Sequence, residues 1–320
     1  MKPLCPNSDR NKSLLKESAM EIAMVGLGRM GGNMVTRLLR GGHSVFCYDT
    51  NQDVMNQYVS DGAISSSSLE DLVLKLSTPR KIWVMVPHGE ATQTTITKLS
   101  NLLDPEDIII DGGNNHYPDT IKLGKHLHDK QLRFLDVGTS GGIWGLQQGY
   151  SLMIGGEKTA FEHMTPIFES LAANGKSGYA YVGKTGAGHY LKMVHNGVEY
   201  ALMESYAEGF ELLDSSDEYD FNLEEVSEIW SNGSVIRSWL LDLIHQALKD
   251  DNKLTDIKPY VEDSGEGRWT VTESIRLGIP LPVITASLQQ RFRSRQSEPF
   301  GAKLLAVMRN YFGGHAIHKN

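Results

Sequence analysis

Short apolar runs recur along the first half of the chain, at residues 21–26, 44–48, 81–86, 107–111 and 133–137, each rich in Val, Ile or Phe. Amphipathic stretches separate them, among them 33–40, 54–60 and 119–130. Strands that are apolar throughout rather than alternating, and that are spaced by helices, predict a mostly parallel sheet covered on both faces. Two further strands are expected at 151–154 and 179–182, flanking a helix at 160–172. The pattern then becomes helical: 189–213, 221–231, 234–249, 270–277, 282–293 and 302–311 all read as helices. The expected organisation is an α/β domain over 20–184 followed by an all-α domain over 185–320. Residues 1–19 are polar, lack the apolar core of a secretory signal and read as a disordered extension.

Composition narrows the classes. Against 31 Lys+Arg stand 39 Asp+Glu, a formal net charge of −8, so nucleic acid is not the expected partner. Two cysteines, Cys5 and Cys47, cannot build a disulfide framework, which points to a reducing, cytoplasmic setting. No apolar run approaches the roughly 18 residues of a membrane span. The histidine pairs His126/His128 and His315/His318 have no Cys or carboxylate set around them, so no metal is expected.

The first apolar run leads into Gly26-Leu27-Gly28-Arg29-Met30-Gly31, a G-x-G-x-x-G turn between a strand and a helix. Its first glycine permits the tight turn, its second lets backbone approach a diphosphate, and its third allows close helix–strand packing. The diphosphate then meets the positive end of the helix dipole. Alone the motif is weak, because such a turn can be purely structural. Asp49, about 20 residues further on at the end of the next strand, stands where an adenosine ribose would lie. Together they predict a Rossmann-type dinucleotide-binding domain. A carboxylate accepts bonds from both ribose hydroxyls of NAD but repels a 2′-phosphate; no Arg follows, only Thr50 and Asn51. NAD is therefore the expected cofactor. The alternative is that Asp49 merely caps the next helix. Val86-Pro87-His88 and Asp111-Gly112-Gly113-Asn114 follow later strands at their carboxyl ends, where open α/β sheets bind ligands.

Lys192, His195, Asn196, Glu199 and Tyr200 have the spacing i, i+3, i+4, i+7, i+8, so they share one helical face. A buried stripe is normally apolar at these positions. This one carries a base, an acid, hydrogen-bonding groups and a phenol. Ser140-Gly141-Gly142, after another strand, offers a hydroxyl and backbone N–H groups as a carboxylate cradle, or a simple turn.

The segment from Gly188 to Tyr200, GHYLKMVHNGVEY, resembles the signature of decarboxylating 6-phosphogluconate dehydrogenases. Asp111–Asn114, Ser140–Gly142, DSGEGRWT at 263–270 and RNYFGGH at 309–315 are similar too. The resemblance extends from Met20 to His315 and is to a short, NAD-type form. The chain departs from the NADP pattern at Asp49-Thr50-Asn51, and has Arg268 where the long form carries Lys. The resemblance implies Lys192 as base, Glu199 as acid, and His195 and Asn196 assisting. Asn114, Ser140, Gly141, Gly142, His195 and Asn196 would bind the substrate, with Asn114 also touching the cofactor. Thr270 would also bind the substrate, and Tyr200, Arg268, Arg291, Arg309 and His315 would gather at its phosphate. Arg309 and His315 would come from a neighbouring subunit, implying a homodimer or larger assembly. A β-hydroxyacid dehydrogenase shares the loop, the Ser-Gly-Gly turn and the Lys-Asn pair, but does not need Glu199 or the arginines. A non-catalytic NAD-responsive protein would have no use for Lys192 and Glu199.

Overall fold

The computed structural model describes residues 19–318. The expected extension over 1–19 lies, apart from Ala19, outside the described residues. Contacts divide the chain into a unit ending at His195 and a second beginning at Asn196.

The first unit is built on strands β1 (Glu21–Val25), β2 (Ser44–Tyr48), β3 (Ile64–Ser65), β4 (Lys81–Val84), β5 (Ile108–Asp111), β6 (Arg133–Ser140), β7 (Ser151–Gly156) and β8 (Tyr179–Gly183). Their order is β3-β2-β1-β4-β5-β6-β7-β8. All neighbours pair in parallel except β6 and β7. Strand periodicity explains the two-sided core. Along β1, Ile22 and Met24 join the cluster on one face, with Met34, Val35 and Leu38 of helix α1 (Arg29–Arg40). Ala23 and Val25 join the other, with Leu72, Ile96, Leu99 and Leu127. Each buried Val, Leu, Ile or Met side chain among them contributes about 1.5–3 kcal/mol.

All seven anticipated strands are present, within two or three residues at their ends. Besides the short helical turns over 142–148 and 175–177, three elements escape a reading by pattern. β3 is too short for a period to register and lies at the edge of a serine run. The helix Leu69–Lys75 starts at Ser68, whose side chain accepts the Asp71 N–H, so its signal is a cap rather than a stripe. The helix Glu90–Ser100 is rich in threonine, which favours strands when read alone.

The second unit is helical throughout its described elements. Helix α2 (Ala187–Asp214) begins in the first unit and ends in the second. It is followed by α3 (Leu223–Ser231), α4 (Trp239–Asp250), α5 (Glu266–Leu277), α6 (Pro282–Ser294) and α7 (Phe300–Gly313). Tyr206, Phe210, Leu223, Leu241 and Leu248 form its small core. Helix α7 buries none of its residues.

Candidate active site

Backbone geometry at the end of β1 follows from the glycines. Gly26 has φ +94°, and a Cβ there would come 2.5 Å from the Met85 carbonyl oxygen. A Cβ on Gly31 would collide with the Gly26 carbonyl, so α1 starts hard against the strand end. Gly28 is different: a Cβ there would meet nothing within 4 Å. Its open side faces outward at the start of α1, which has no side-chain cap and no acid in its first turn. The first N–H groups of a helix lack intrahelical partners, so this end is fitted to an anion. Arg29 is exposed beside it and Met30 is half-buried.

Asp49 is joined to this loop. It accepts the Leu27 N–H at 2.7 Å and the Asn51 N–H at 2.9 Å. A carboxylate offers about four lone-pair sites, so bracing the loop leaves capacity for ribose hydroxyls. Capping of the next helix belongs to Asn51, which accepts the Asp53 N–H at 3.0 Å. Thr50 is exposed.

A second set closes the carboxyl ends of β4, β5 and β6. Asn114, at φ +51°, is a two-way brace: its amide accepts the Thr139 N–H at 2.9 Å and donates to the Thr139 carbonyl at 3.2 Å. That fixes the backbone immediately before Ser140. Asn115 donates to both oxygens of Asp111 at 3.0 Å and accepts the Gly89 N–H at 2.7 Å. It thereby ties the turn that holds Val86, Pro87 and His88 to the Asp111–Asn114 turn. Burial pushes the Asp111 carboxyl above its ordinary range. Pro87 and His88 are exposed and Val86 is half-buried.

The first turns of α2 lie against β6 and β7. Asp136, fully buried, accepts the Gly186 N–H at 2.7 Å and the His189 N–H at 3.0 Å. It is the acid that caps this helix, and pattern reading missed it. The available signal was one carboxylate inside an otherwise apolar strand. A Cβ on Gly138 would come 2.5 Å from the Lys192 Cβ, so only glycine allows the base to sit this close to the sheet. Lys192 is 6% exposed. Its Nζ lies 3.5 Å from Nδ1 of His195, whose Nε2 lies 3.4 Å from the Ser140 Oγ. Gly141 (φ +126°) and Gly142 (φ +52°) carry the chain away from Ser140 through left-handed conformations. Three of the expected residues are thus gathered in the first unit: Ser140, His195 and Lys192.

Within the second unit, Asn196 and Glu199 are half-buried and Tyr200 is 4% exposed. The Tyr200 hydroxyl accepts the Ser264 N–H at 3.0 Å. The Arg291 guanidinium lies 3.5 Å over the Tyr200 ring. Arg268 donates Nε and Nη2 to the two oxygens of Asp263 at 2.7 and 2.9 Å. Thr270 is 3% exposed and donates its hydroxyl to the Glu266 carbonyl, so it packs against Gly197 rather than facing solvent. Arg309 and His315 are exposed, on α7 and the turn after it.

Fold and site together define a dinucleotide-dependent oxidoreductase with an all-helical second domain. The model of the NAD-binding domain of 6-phosphogluconate dehydrogenase matches residues 21–183, and that of the 6-phosphogluconate dehydrogenase C-terminal domain matches 188–218 and 204–320. The chain is 41% identical over 299 residues to an NAD(+)-dependent, decarboxylating 6-phosphogluconate dehydrogenase of Haloferax volcanii, covering 93% of this chain and 98% of that one. With an NADP(+)-dependent, decarboxylating enzyme of Bacillus subtilis it shares 36% identity, over 88% of this chain but only 62% of the relative. The solved 6-phosphogluconate dehydrogenase of Plasmodium falciparum superposes with a TM-score of 0.80 at 28% identity, over 94% of this chain and 66% of that one. The chain belongs to the 6-phosphogluconate dehydrogenase family.

Proposed function

We propose that this protein oxidises and decarboxylates 6-phosphogluconate to ribulose 5-phosphate and carbon dioxide, using NAD. The observation that carries the reading is α2, which presents Lys192, His195, Asn196, Glu199 and Tyr200 at the spacing of one face, with Lys192 6% exposed.

The start of α1 and Gly28 fit the cofactor diphosphate, and Asp49 fits the ribose hydroxyls. When bound, NAD supplies the acceptor for the hydride that leaves C3. Lys192 takes the proton of the C3 hydroxyl, which needs its amine neutral when the substrate binds. The resulting ketone is β to the carboxylate, so the C1–C2 bond breaks and its electron pair moves toward the carbonyl. Protonated Lys192 then stabilises the enediol oxygen. Glu199 delivers a proton to the carbon that lost carbon dioxide. One base and one acid on the same helix suit this sequence of proton transfers. Ser140, Gly141, Gly142, His195 and Asn196 hold the carboxylate and hydroxyls, with Asn114 fixing the backbone beneath Ser140. Tyr200, Arg268 and Arg291 bind the phosphate, with Thr270 supporting them from the core.

The working form is a homodimer or a larger homo-oligomer in the cytoplasm. Support comes from α7, which buries nothing and exposes Phe300, Leu305, Tyr311 and Phe312. Such a surface is covered by another chain in stable assemblies. Arg309 and His315 then complete the phosphate site of the neighbouring copy.

The test is a parallel assay of 6-phosphogluconate with NAD and with NADP, following both the reduced cofactor and carbon dioxide. Equal amounts of reduced cofactor and carbon dioxide, with NAD preferred, are expected. Oxidation of a simple 3-hydroxyacid without carbon dioxide release would overturn the reading in favour of a β-hydroxyacid dehydrogenase.

A further inference from the structure

Residues 262–264, in the loop before α5, each hold one or more members of the set assigned to the substrate phosphate. The Glu262 carbonyl accepts from Arg291 Nη1 at 2.9 Å. Ser264 donates its N–H to Tyr200. Between them, Asp263 takes the Arg268 fork and also the Nη2 of Arg295 at 2.9 Å. Arg268 and Arg295 both lie over the Phe292 ring, with guanidinium carbons 4.4 and 5.3 Å from its centre. The Asp263 side chain is 4% exposed, whereas Arg268 is 53% exposed. The carboxylate is therefore hidden behind the arginines it holds, and the open group is the cation.

We propose that Asp263 is a positioning residue of the phosphate subsite: it fixes the plane of Arg268 so that the remaining guanidinium N–H groups meet the substrate phosphate. The inference rests on the function proposed above. A guanidinium has five donors in a rigid fork. Asp263 uses Nε and one N–H of Nη2, which leaves both N–H groups of Nη1 directed away from the pair. A lysine at 268 has a single nitrogen and could not be gripped in a plane while serving a second anion. Bonding from Arg268 first, and then from Arg295, holds the Asp263 carboxyl down at about 2. It stays charged at any working pH. Orienting the arginine before the substrate arrives spares the ordering cost of a free side chain at binding. The carboxylate also cancels one of the two positive charges, so the cluster favours a phosphate through geometry as well as net charge.

The experiment is steady-state kinetics of the full-length protein with 6-phosphogluconate and NAD, comparing Asp263→Asn, Arg268→Lys and the double variant. Inorganic phosphate serves as a competitive inhibitor that reports the subsite alone. Asp263→Asn is expected to raise KM for 6-phosphogluconate about tenfold, the usual scale for one well-placed charged bond. The inhibition constant of phosphate should rise in step, with kcat within about twofold and KM for NAD unchanged. Arg268→Lys keeps the charge but loses the grip, so it should show the same split. The double variant should be no worse than Arg268→Lys. An unchanged or lowered KM in Asp263→Asn overturns the inference, as do effects of the two changes that multiply. Should Asp263→Asn not fold, Arg268→Lys alone decides: a KM and phosphate inhibition equal to wild type overturn it. A wild-type protein that does not turn over 6-phosphogluconate would instead overturn the proposed function, so the two failures are distinct.

Discussion

Lys192 shows how much one position carries. Its Cβ rests against Gly138, where any side chain would displace it, and its amine is near His195 within a buried setting. Lys192→Met keeps the length and apolar stem, so the fold and cofactor affinity should persist, as melting and cofactor titration would show. Turnover should fall by at least about 100-fold, the scale of a lost general base. Retention of a tenth of wild-type turnover would refute the assignment. Asp49 governs a different choice. A like charge at about 4 Å costs on the order of 4 kcal/mol at an effective dielectric of 20, less where solvent enters. Asp49→Asn with Thr50→Arg removes that repulsion and adds a phosphate partner. The ratio of kcat/KM for NADP over NAD should rise at least about tenfold; an unaltered ratio would mean that Asp49 serves only to brace Leu27.

At the scale of elements, the start of α2 is held by one carboxylate and by glycines that let the helix touch the sheet. Asp136→Ala would leave two buried N–H groups without acceptors, at about 1–3 kcal/mol. The melting temperature should drop, and turnover should drop with it, because Lys192 and His195 move with the helix. Equal stability in the variant would show that packing at Gly155 and Gly188, where added side chains would meet Asp136, holds the helix by itself. The pattern of apolar and polar positions located this helix and its chemical face. It missed the cap, because a strand acid and a helix N–H separated by some fifty residues share no local signature.

The whole molecule poses the question of α7. Among the described residues of this helix none is buried, while Phe300, Tyr311 and Phe312 are each more than three-quarters exposed. A second copy that covers α7 would bring Arg309 and His315 to its partner's site. Two inactive variants test this: Lys192→Ala, and Arg309→Ala with His315→Ala. Refolded together, their heterodimers hold one site with both Lys192 and an intact tail. Activity should return to a fraction of wild type, reaching about a quarter if assembly is random and each site works alone. Confirmed heterodimers as inactive as their parents would place the tail in its own chain's site.

Local pattern alone determined the parallel α/β unit, the glycine loop, Asp49 at the end of the next strand and the five-residue face of α2. Each depends on a period of two or 3.6 residues or on a backbone turn, and these act over a few neighbours. The resemblance to a family signature added the roles proposed for Arg268, Arg291, Arg309 and His315. Tertiary structure alone decided that Asn114 braces Thr139, that Asn115 couples two loops, that Asp136 caps the helix and that Asp263 grips Arg268 and Arg295. Those bonds join residues far apart in the chain or on opposite sides of a turn. Their partners are selected by burial, since a polar group removed from water must find whichever complement the fold brings within 3 Å or so.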